Sequence, residues 1–286
     1  MNLEGRIDQF KTDGYTVFEG LHNEARMQAW RDSYWALTTA ASVPGAPPVT
    51  WLSGLLEFNP ALFLPMAAHP EVLDFAERVM GPFVQVDATA FNVFPHVPPA
   101  DAAGKVNGWH RDRYAEIPQT RDYIRPWSCN TITYLQDLDA ATGPLRVIAG
   151  SHRDAVFFNA QARGLPHARE TLVEARAGDV VFTHALLAHS GTPNTSGQPR
   201  YFLSVAYNRS WMKHRDNHAG PRTQALLDVA RARNDRRLMR LLGDDPLLWE
   251  RSNPYFMSGS DEARWAAWTE EDRAALRPEP DKRPTA

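Results

Sequence analysis

The strongest constraint on the fold is a series of short segments, rich in β-branched and aromatic residues, in the middle of the chain. They cover residues 83–95, 127–136, 144–149, 178–184 and 199–207, and turn residues such as Ala177-Gly178-Asp179 separate them. Short strands with turn signals between them are typical of an antiparallel sandwich or barrel rather than of βαβ units. No glycine-rich phosphate loop follows any of these segments. The sequence therefore predicts a mainly β core.

Helical patterns flank this predicted core on both sides. Leu3, Ile7 and Phe10 recur at helical spacing, and the helix that they indicate is expected to end at Gly14. Helical spacing returns after residue 222, where the arginines between residues 231 and 240 are expected to form a solvated helix face. The simplest architecture is one β core with helices at both ends.

Composition excludes several classes of protein. Of the 286 residues 43% are apolar, which is enough to form a buried core and argues against disorder. The formal net charge is −3, so the basic surplus of a dedicated nucleic-acid binder is lacking. No apolar run approaches the ~20 residues of a membrane span, and the first residues lack the apolar centre of a signal peptide. A single cysteine, Cys129, excludes an internal disulfide. We expect a cytoplasmic protein that binds neither nucleic acid nor membranes.

His110 has a carboxylate two residues after it, in the segment Gly108-Trp109-His110-Arg111-Asp112. On an extended strand, residues i and i+2 point to the same face, so this imidazole and this carboxylate converge. Such a pair supplies two members of a 2-His-1-carboxylate metal site. Taken alone the pair is also compatible with a hydrogen-bonded couple on the surface.

The segment over residues 177–200 strengthens the metal interpretation. A turn leads into an apolar strand that is expected to end at His189, and Arg200 begins the next strand after a Pro-Asn turn. A hairpin-like return would bring Arg200 beside the metal site, where a guanidinium offers a bidentate partner to the far carboxylate of a chelating keto acid. His184, in the same apolar stretch, is the competing third ligand, and its alternative role is that of a core histidine.

Together these pieces resemble the phytanoyl-CoA dioxygenase family of Fe(II)- and 2-oxoglutarate-dependent oxygenases. The matching motifs are Trp109-His110-Arg111-Asp112, Leu135-Gln136-Asp137-Leu138-Asp139, Thr142-Gly143-Pro144-Leu145, Gly150-Ser151-His152, Ala177-Gly178-Asp179, and His189 with Asn194 and Arg200 at the family's spacing. The resemblance implies a double-stranded β-helix (jelly-roll, cupin-like) core. It implies His110, Asp112 and His189 as iron ligands, Arg200 as the anchor of 2-oxoglutarate, and O2 as the second cosubstrate.

With this resemblance, we expect one oxygenase domain over residues 1–286. Its helical N-terminal part is expected over 1–82, its jelly-roll core over about 83–210 and its helical C-terminal extension over 211–286.

Further residues are candidates for contacts with the cosubstrate or the substrate. In some relatives an amide side chain close to the position of Asn107 contacts the cosubstrate. Hydroxyls on strands near the predicted centre are carried by Thr131, Thr133 and Ser204. The threonines also suit an ordinary strand. The candidate substrate contacts, of which each aromatic residue also suits a packed core, are Arg113, Tyr114, Trp127, Tyr207, Trp51 and Trp211. An arginine directly after Asp112 would suit a substrate with a carboxylate or phosphate.

The expected function is hydroxylation of a small molecule, such as a secondary metabolite or an acid-bearing metabolite, with release of succinate and CO2. One alternative keeps the cofactors but leads to desaturation, ring formation or epimerisation. A second is a cupin-like metal-dependent isomerase or hydrolase, and a third is a noncatalytic ligand binder. The oligomeric state is expected to be a monomer or a homodimer.

Overall fold

The computed structural model of the protein describes residues 1–41, 50–112, 118, 120–252 and 260–278. The strands in these ranges are β1 (Tyr15–Phe18), β2 (Trp51–Ser53), β3 (Val84–Phe94), β4 (Ser128–Tyr134), β5 (Leu145–Val147), β6 (Thr171–Val173), β7 (Val180–His184), β8 (His189–Gly191) and β9 (Arg200–Arg209). The α-helices are α1 (Leu3–Asp13), α2 (Glu24–Ala41), α3 (Leu55–Phe58), α4 (Pro60–Ala67), α5 (Pro70–Met80), α6 (Pro99–Ala102), α7 (Pro221–Ala232), α8 (Arg236–Leu241), α9 (Leu248–Ser252) and α10 (Asp261–Ala275).

The strands form two sheets. The larger has the order β1-β7-β4-β9-β3-β2 and the smaller the order β6-β5-β8. Ile132 of β4 and Val181 of β7 share one apolar cluster with Leu145 and Val147 of β5, so side chains of both sheets pack into a common core. This two-sheet antiparallel arrangement confirms the predicted jelly-roll fold with flanking helices.

The described chain forms two compact units. The first comprises Met1–Ser53 and Thr89–Ala206 and holds the apolar cluster shared by the two sheets. The second comprises Gly54–Ala88 and Tyr207–Ala286, where helices predominate. The expected organisation as one domain with three consecutive segments stays a prediction. Among the described helices, none has the length and apolarity needed to cross a bilayer.

Helix ends follow the local sequence. The side chain of Asn2 accepts a hydrogen bond from the Gly5 amide at 2.9 Å and thereby caps α1, which ends at Gly14 with φ of +83° as predicted. The next turn of interest is Gly81 after α5, with φ of +85°. A Cβ at Gly81 would lie 2.9 Å from the ring of Trp265, so this position requires glycine for both conformation and space.

The predicted strand that ends at His189 is wrong in its extent. Strand β7 ends at His184, and His189 begins β8 in the other sheet. Between them the Leu187 amide donates to the His184 carbonyl at 2.9 Å, which closes a turn. The apolar run therefore continues through a crossing between sheets, where it stays buried without remaining one strand.

The predicted solvated arginine face is also wrong in part. Arg231 of α7 is half-exposed and pairs with Asp244, as a solvated face requires. Arg240 of α8 is only 1% exposed, and its Nη2 lies 2.9 Å from Oδ2 of Asp272 in α10. Helical spacing alone does not predict the burial of Arg240, because its acidic partner Asp272 lies more than 30 residues away in the sequence.

Candidate metal centre

Backbone pairing brings the two candidate histidines side by side. His110 forms an isolated antiparallel bridge with His189: its amide donates to the His189 carbonyl at 3.0 Å, and the His189 amide donates back at 2.9 Å. The Asp112 amide donates to the Ala185 carbonyl at 3.1 Å. The predicted extended strand around His110 is thus reduced to a single bridge, but the segment is held at both His110 and Asp112.

The side chains of these residues converge. Ligand atoms of His110, Asp112 and His189 all lie within 4.8 Å of one another. Nε2 of His189 is 3.7 Å from Oδ1 of Asp112, and the two imidazole ring centres are 4.2 Å apart. His110 is exposed, Asp112 half-buried and His189 buried, so the group is open on one side.

Hydrogen bonds at Nδ1 of both histidines determine which ring nitrogen carries the proton. Nδ1 of His110 lies 3.0 Å from the Gly108 carbonyl, and Nδ1 of His189 lies 3.0 Å from the Leu187 carbonyl. Because a carbonyl only accepts, each Nδ1 carries the proton in the neutral ring, and each Nε2 keeps its lone pair. The neighbouring His189 lowers the pKa of His110 to about 4, so this ring is neutral at neutral pH.

The carboxylate of Asp112 supplies a further sign of a cation site. Its Oδ2 is buried and has no hydrogen-bond partner within the described part of the chain. A buried carboxylate oxygen without a donor is costly unless a cation lies beside it. Two neutral imidazoles and one such carboxylate are the donor set that ferrous iron takes in non-haem oxygenases.

Arg200 at the start of β9 is buried, with 3% of its surface exposed. Its Nη1 donates to the backbone carbonyls of Thr142 at 3.0 Å and Thr192 at 2.8 Å, and also to that of Gly143. Its Nε is buried without a partner, and its guanidinium lies 4.8 Å from the ring centre of Phe94. In the described ranges no carboxylate pairs with it, and burial lowers the pKa of Arg200. Its charge is therefore available to an anion.

Gly191 allows the side chains of Asn107 and Arg200 to approach the backbone of β8 closely. A Cβ on Gly191 would lie 2.8 Å from Nδ2 of Asn107 and 3.4 Å from Nη2 of Arg200. Gly191 follows His189 by two residues on β8, so both face the same side of the strand. The missing side chain thus creates a cradle with an amide and a guanidinium at its edge.

A cavity of about 740 Å³ adjoins this site. His110 and Asp112 line it, together with Asn107, Gly191 and several aromatic side chains. A cavity of this size takes a small organic molecule. A second cavity of about 750 Å³, in the helical unit, has four tryptophans in its lining. We assign the chemistry to the first, because two of the three converging residues, His110 and Asp112, line it.

The phytanoyl-CoA dioxygenase (PhyH) family matches the chain over residues 10–202, which is more than half of its length. The chain belongs to this family. Among its relatives, the ectoine dioxygenase of Bordetella parapertussis is 23% identical over 236 residues, covering 71% of this chain and 74% of the relative.

Solved structures agree on the fold. HygX from Streptomyces hygroscopicus, with nickel and 2-oxoglutarate bound, has a TM-score of 0.60 and 18% identity, covering 75% of this chain and 90% of HygX. The epimerase SnoN from nogalamycin biosynthesis has a TM-score of 0.55 and 21% identity, covering 73% of this chain and 83% of SnoN. The predicted family, fold and enzyme class are confirmed: this phytanoyl-CoA dioxygenase family member is a dioxygenase of the Fe(II)- and 2-oxoglutarate-dependent class.

The competing histidine of this family member lies apart from the group. His184 is buried, its Nδ1 accepts a hydrogen bond from the Leu186 amide at 3.0 Å, and its ring centre is 5.0 Å from that of His152. Burial, aided by the charge of His152, lowers the pKa of His184 to about 3. These contacts fit the role of a core histidine.

The predicted cosubstrate contacts are placed unequally. Asn107 lies on the cavity wall, and its Nδ2 is 3.5 Å from the Thr192 carbonyl. Ser204 is half-buried on the same face of β9 as Arg200, since four residues separate them. Thr131 is buried, and its Oγ1 donates to the Val205 carbonyl at 3.3 Å. Thr133 is buried as well and pairs with Val180 in register.

The structure does not bring the two threonines to Arg200. Tyr134 interacts electrostatically with Arg200, and strand alternation turns Thr131 and Thr133 to the opposite face of β4. Asn130 has the same parity as Tyr134, and its Oδ1 is buried without a hydrogen-bond partner in the described part of the chain. The sequence reasoning missed Asn130, although counting by two from Tyr134 would have found it.

The predicted substrate contacts also divide. Trp51 lines the cavity, whereas Trp127 is 59% exposed and is not part of its lining. Tyr207 is buried in the other unit, where its hydroxyl donates to the Ala67 carbonyl at 3.0 Å. Trp211 packs on Phe83 in that unit and lines its cavity. The remaining candidates, which lie outside the described residues, are Arg113 and Tyr114.

Proposed function

We propose that this family member hydroxylates a small molecule at the His110–Asp112–His189 centre, converting 2-oxoglutarate and O2 into succinate and CO2. The observation that carries the proposal is the convergence of these three ligands within 4.8 Å, beside a cavity that His110 and Asp112 line. One atom of O2 enters succinate and the other enters the product, so the overall reaction balances.

His110, Asp112 and His189 would hold ferrous iron. Their Nδ1 hydrogen bonds to backbone carbonyls fix the ring orientation of both histidines, and the unpartnered oxygen of Asp112 favours a cation. When bound, iron with 2-oxoglutarate supplies the activation of O2 that oxidises a C–H bond. The protein's part is to present three donors and to leave the remaining positions open to the cosubstrate and O2.

Arg200 would bind the far carboxylate of 2-oxoglutarate. Its charge is buried without a carboxylate partner in the described ranges, and a planar guanidinium matches a carboxylate with two parallel hydrogen bonds. Gly191 has no side chain to keep a ligand from Arg200, and Asn107 offers an amide next to it. Asn130 lies on the same face of β4 as Tyr134, and Ser204 lies on the same face of β9 as Arg200. Both are secondary candidates for cosubstrate contacts.

The position of the substrate carbon relative to the metal would decide the outcome. SnoN, which is described as an epimerase, has this fold, so the same centre is compatible with epimerisation as well as hydroxylation. The product distinguishes them, because hydroxylation adds one oxygen atom and epimerisation leaves the composition unchanged. Mass spectrometry of the product therefore tests this part of the proposal. Small-molecule specificity, cytoplasmic location and a monomeric or dimeric state stay predictions.

Succinate release from 2-oxoglutarate, in air with Fe(II) and ascorbate, tests the proposed chemistry. His189→Asn should remove it, together with the anaerobic visible band of the Fe(II)–2-oxoglutarate complex. His184→Asn is the matched control, since it changes a nearby histidine of the same run and keeps an acceptor for the Leu186 amide. If His184→Asn lost the band in a folded protein while His189→Asn kept it, the ligand assignment would be wrong.

A further inference from the structure

The cavity beside the candidate metal centre combines aromatic walls with two arginine side chains, one of which is held by backbone carbonyls. Phe157, Phe158 and Trp51 line it, and Phe157 and Trp51 are 71% and 62% exposed, so this wall offers apolar surface to a ligand. Arg163 belongs to the same lining. Arg163 lies in a loop without a recognisable motif, so the sequence alone does not indicate it.

Backbone hydrogen bonds hold Arg163 next to the metal-binding segment. The Trp109 amide donates to the Arg163 carbonyl at 2.9 Å, and Nε of Arg163 donates back to the Trp109 carbonyl at 3.1 Å. The Val106 amide donates to the Gly164 carbonyl at 3.0 Å, which extends the pairing. The ring of Trp109 stacks on Phe158 with centres 5.5 Å apart and planes 3° from parallel. Arg163 is thus held beside Trp109, the residue that precedes His110.

The terminal nitrogens of Arg163 make no hydrogen bond to the described part of the chain. Over the described ranges, no carboxylate pairs with Arg163, and its Nε bond to Trp109 leaves Nη1 and Nη2 to solvent or ligand. The other arginine of the lining, Arg111, differs: its guanidinium donates to four backbone carbonyls, those of Leu186, Val156, Ser151 and Asp154. Of the two arginines in the lining, Arg163 is therefore the one whose terminal nitrogens can bind a ligand while its Nε is held in place.

We propose that Arg163 determines substrate specificity by binding an anionic group, carboxylate or phosphate, of a substrate whose apolar body packs on Phe157 and Phe158. This rests on the proposed function, since it names the substrate class of the same site. The guanidinium fork supplies two donors to one anion, and the aromatic walls favour a flat or hydrocarbon body. A neutral compound of the same shape gains only the second of these contributions.

Matched probes test this assignment on the protein loaded with Fe(II) and 2-oxoglutarate without O2. Calorimetric titration compares phenylacetate and phenyl phosphate with the neutral phenylacetamide. Because Arg163 is exposed and solvent screens its charge, we expect the anions to bind about five- to tenfold more tightly than the amide. Arg163→Gln should abolish this preference, and Arg163→Lys should restore part of it.

Arg176→Gln is the matched control. Arg176 is an exposed arginine of the same unit, outside the cavity lining, so its loss changes the net charge equally and should leave the preference intact. Equal binding of anions and amide, or no anion binding at millimolar concentration, would overturn the proposal. So would a weaker affinity of Arg163→Gln for 2-oxoglutarate with an unchanged probe preference, because Arg163 would then serve the cosubstrate. Failure of the proposed function is distinguishable, since it would remove wild-type succinate formation.

Discussion

At the scale of single residues, Arg200 sets the electrostatics of the site. Burial takes its guanidinium out of water, and the hydrogen bonds that it makes within the described chain go to uncharged carbonyls. A buried cation without a counter-ion is unfavourable, and a dianionic ligand relieves the cost when it binds. The binding of 2-oxoglutarate should therefore depend steeply on this residue.

Arg200→Ala should weaken 2-oxoglutarate binding far more than Fe(II) binding. Truncating one partner of a buried charge pair costs about 2–5 kcal/mol, or roughly 30- to 5000-fold in affinity. Anaerobic titration of the visible band with 2-oxoglutarate measures the change. Arg200→Lys should recover only part, because a point charge replaces a two-pronged donor. An Arg200→Ala protein that binds 2-oxoglutarate like the wild type would refute the anchor.

Gly191→Ala should also weaken 2-oxoglutarate binding, but through space rather than charge. The added methyl would lie 2.8 Å from Nδ2 of Asn107 and enter the region beside Arg200. We expect roughly a tenfold loss of affinity, equivalent to about 1.4 kcal/mol, with little effect on metal binding. Gly164→Ala is the control, since a methyl there meets no atom within 4 Å. Equal 2-oxoglutarate affinities of both variants would show that the cradle is not used.

Sequence reasoning reaches some of these residues and not others. His110, Asp112, His189 and Arg200 stand at motif spacings, so a single chain suffices to nominate them. Arg163 joins the cavity through backbone bonds to Trp109, and no spacing in the sequence encodes that meeting. Residues that reach a site through the fold of a loop are invisible to pattern analysis.

At the scale of elements, periodicity predicts the identity of a strand better than its end. Continuous apolarity predicts one strand across the run that includes Val181 and Leu187. Both residues are indeed buried in the same cluster. The turn at His184 divides the run, and the two parts pair with different sheets. Hydrophobicity reports burial, whereas the partner of a strand depends on contacts that are distant in sequence.

Helix α8 offers a test at this scale. Arg240→Ala should lower the free energy of unfolding by about 3 kcal/mol, because it leaves the buried Asp272 with fewer donors. Urea denaturation followed by circular dichroism measures the change. Arg231→Ala is the control, since solvent screens the ion pair of that half-exposed arginine on α7 and its loss should leave the stability almost unchanged. Similar losses for both variants would mean that burial of Arg240 does not matter.

At the scale of the whole molecule, the mainly β architecture follows from local patterns. Short strands separated by turns leave an antiparallel sandwich or barrel as the main option, and the pairing of β4 with β7 realises it. Which residues gather into the second unit was not predictable, because it joins Gly54–Ala88 to a segment that begins at Tyr207. Grouping of that kind depends on tertiary contacts rather than on periodicity.

Acid should destabilise the protein through its buried histidines. Burial lowers the pKa of His152 to about 4 and that of His184 to about 3, against 6.5 for an ordinary histidine. Between 6.5 and these values the unfolded chain binds protons that the folded chain does not. The free energy of unfolding therefore falls as the pH drops below about 6.5 and is unaffected by these groups above it.

Thermal unfolding measured between pH 7 and about pH 5 checks this effect. His184→Asn should flatten the decline, since one titrating group is removed while an acceptor for the Leu186 amide remains. A wild-type midpoint that is constant over this range would contradict the assignment.

The backbone bridge between His110 and His189 has a consequence for which metal the protein carries. Because the two residues exchange both amide hydrogen bonds, peptide geometry fixes the spacing of the imidazoles before any ion arrives. The affinity of such a pair of nitrogens for divalent ions rises from manganese through iron and nickel to copper. Occupancy by iron is then decided by the supply of metals in the cell, and protein produced in an iron-poor, nickel-rich medium should carry the wrong ion in an intact fold.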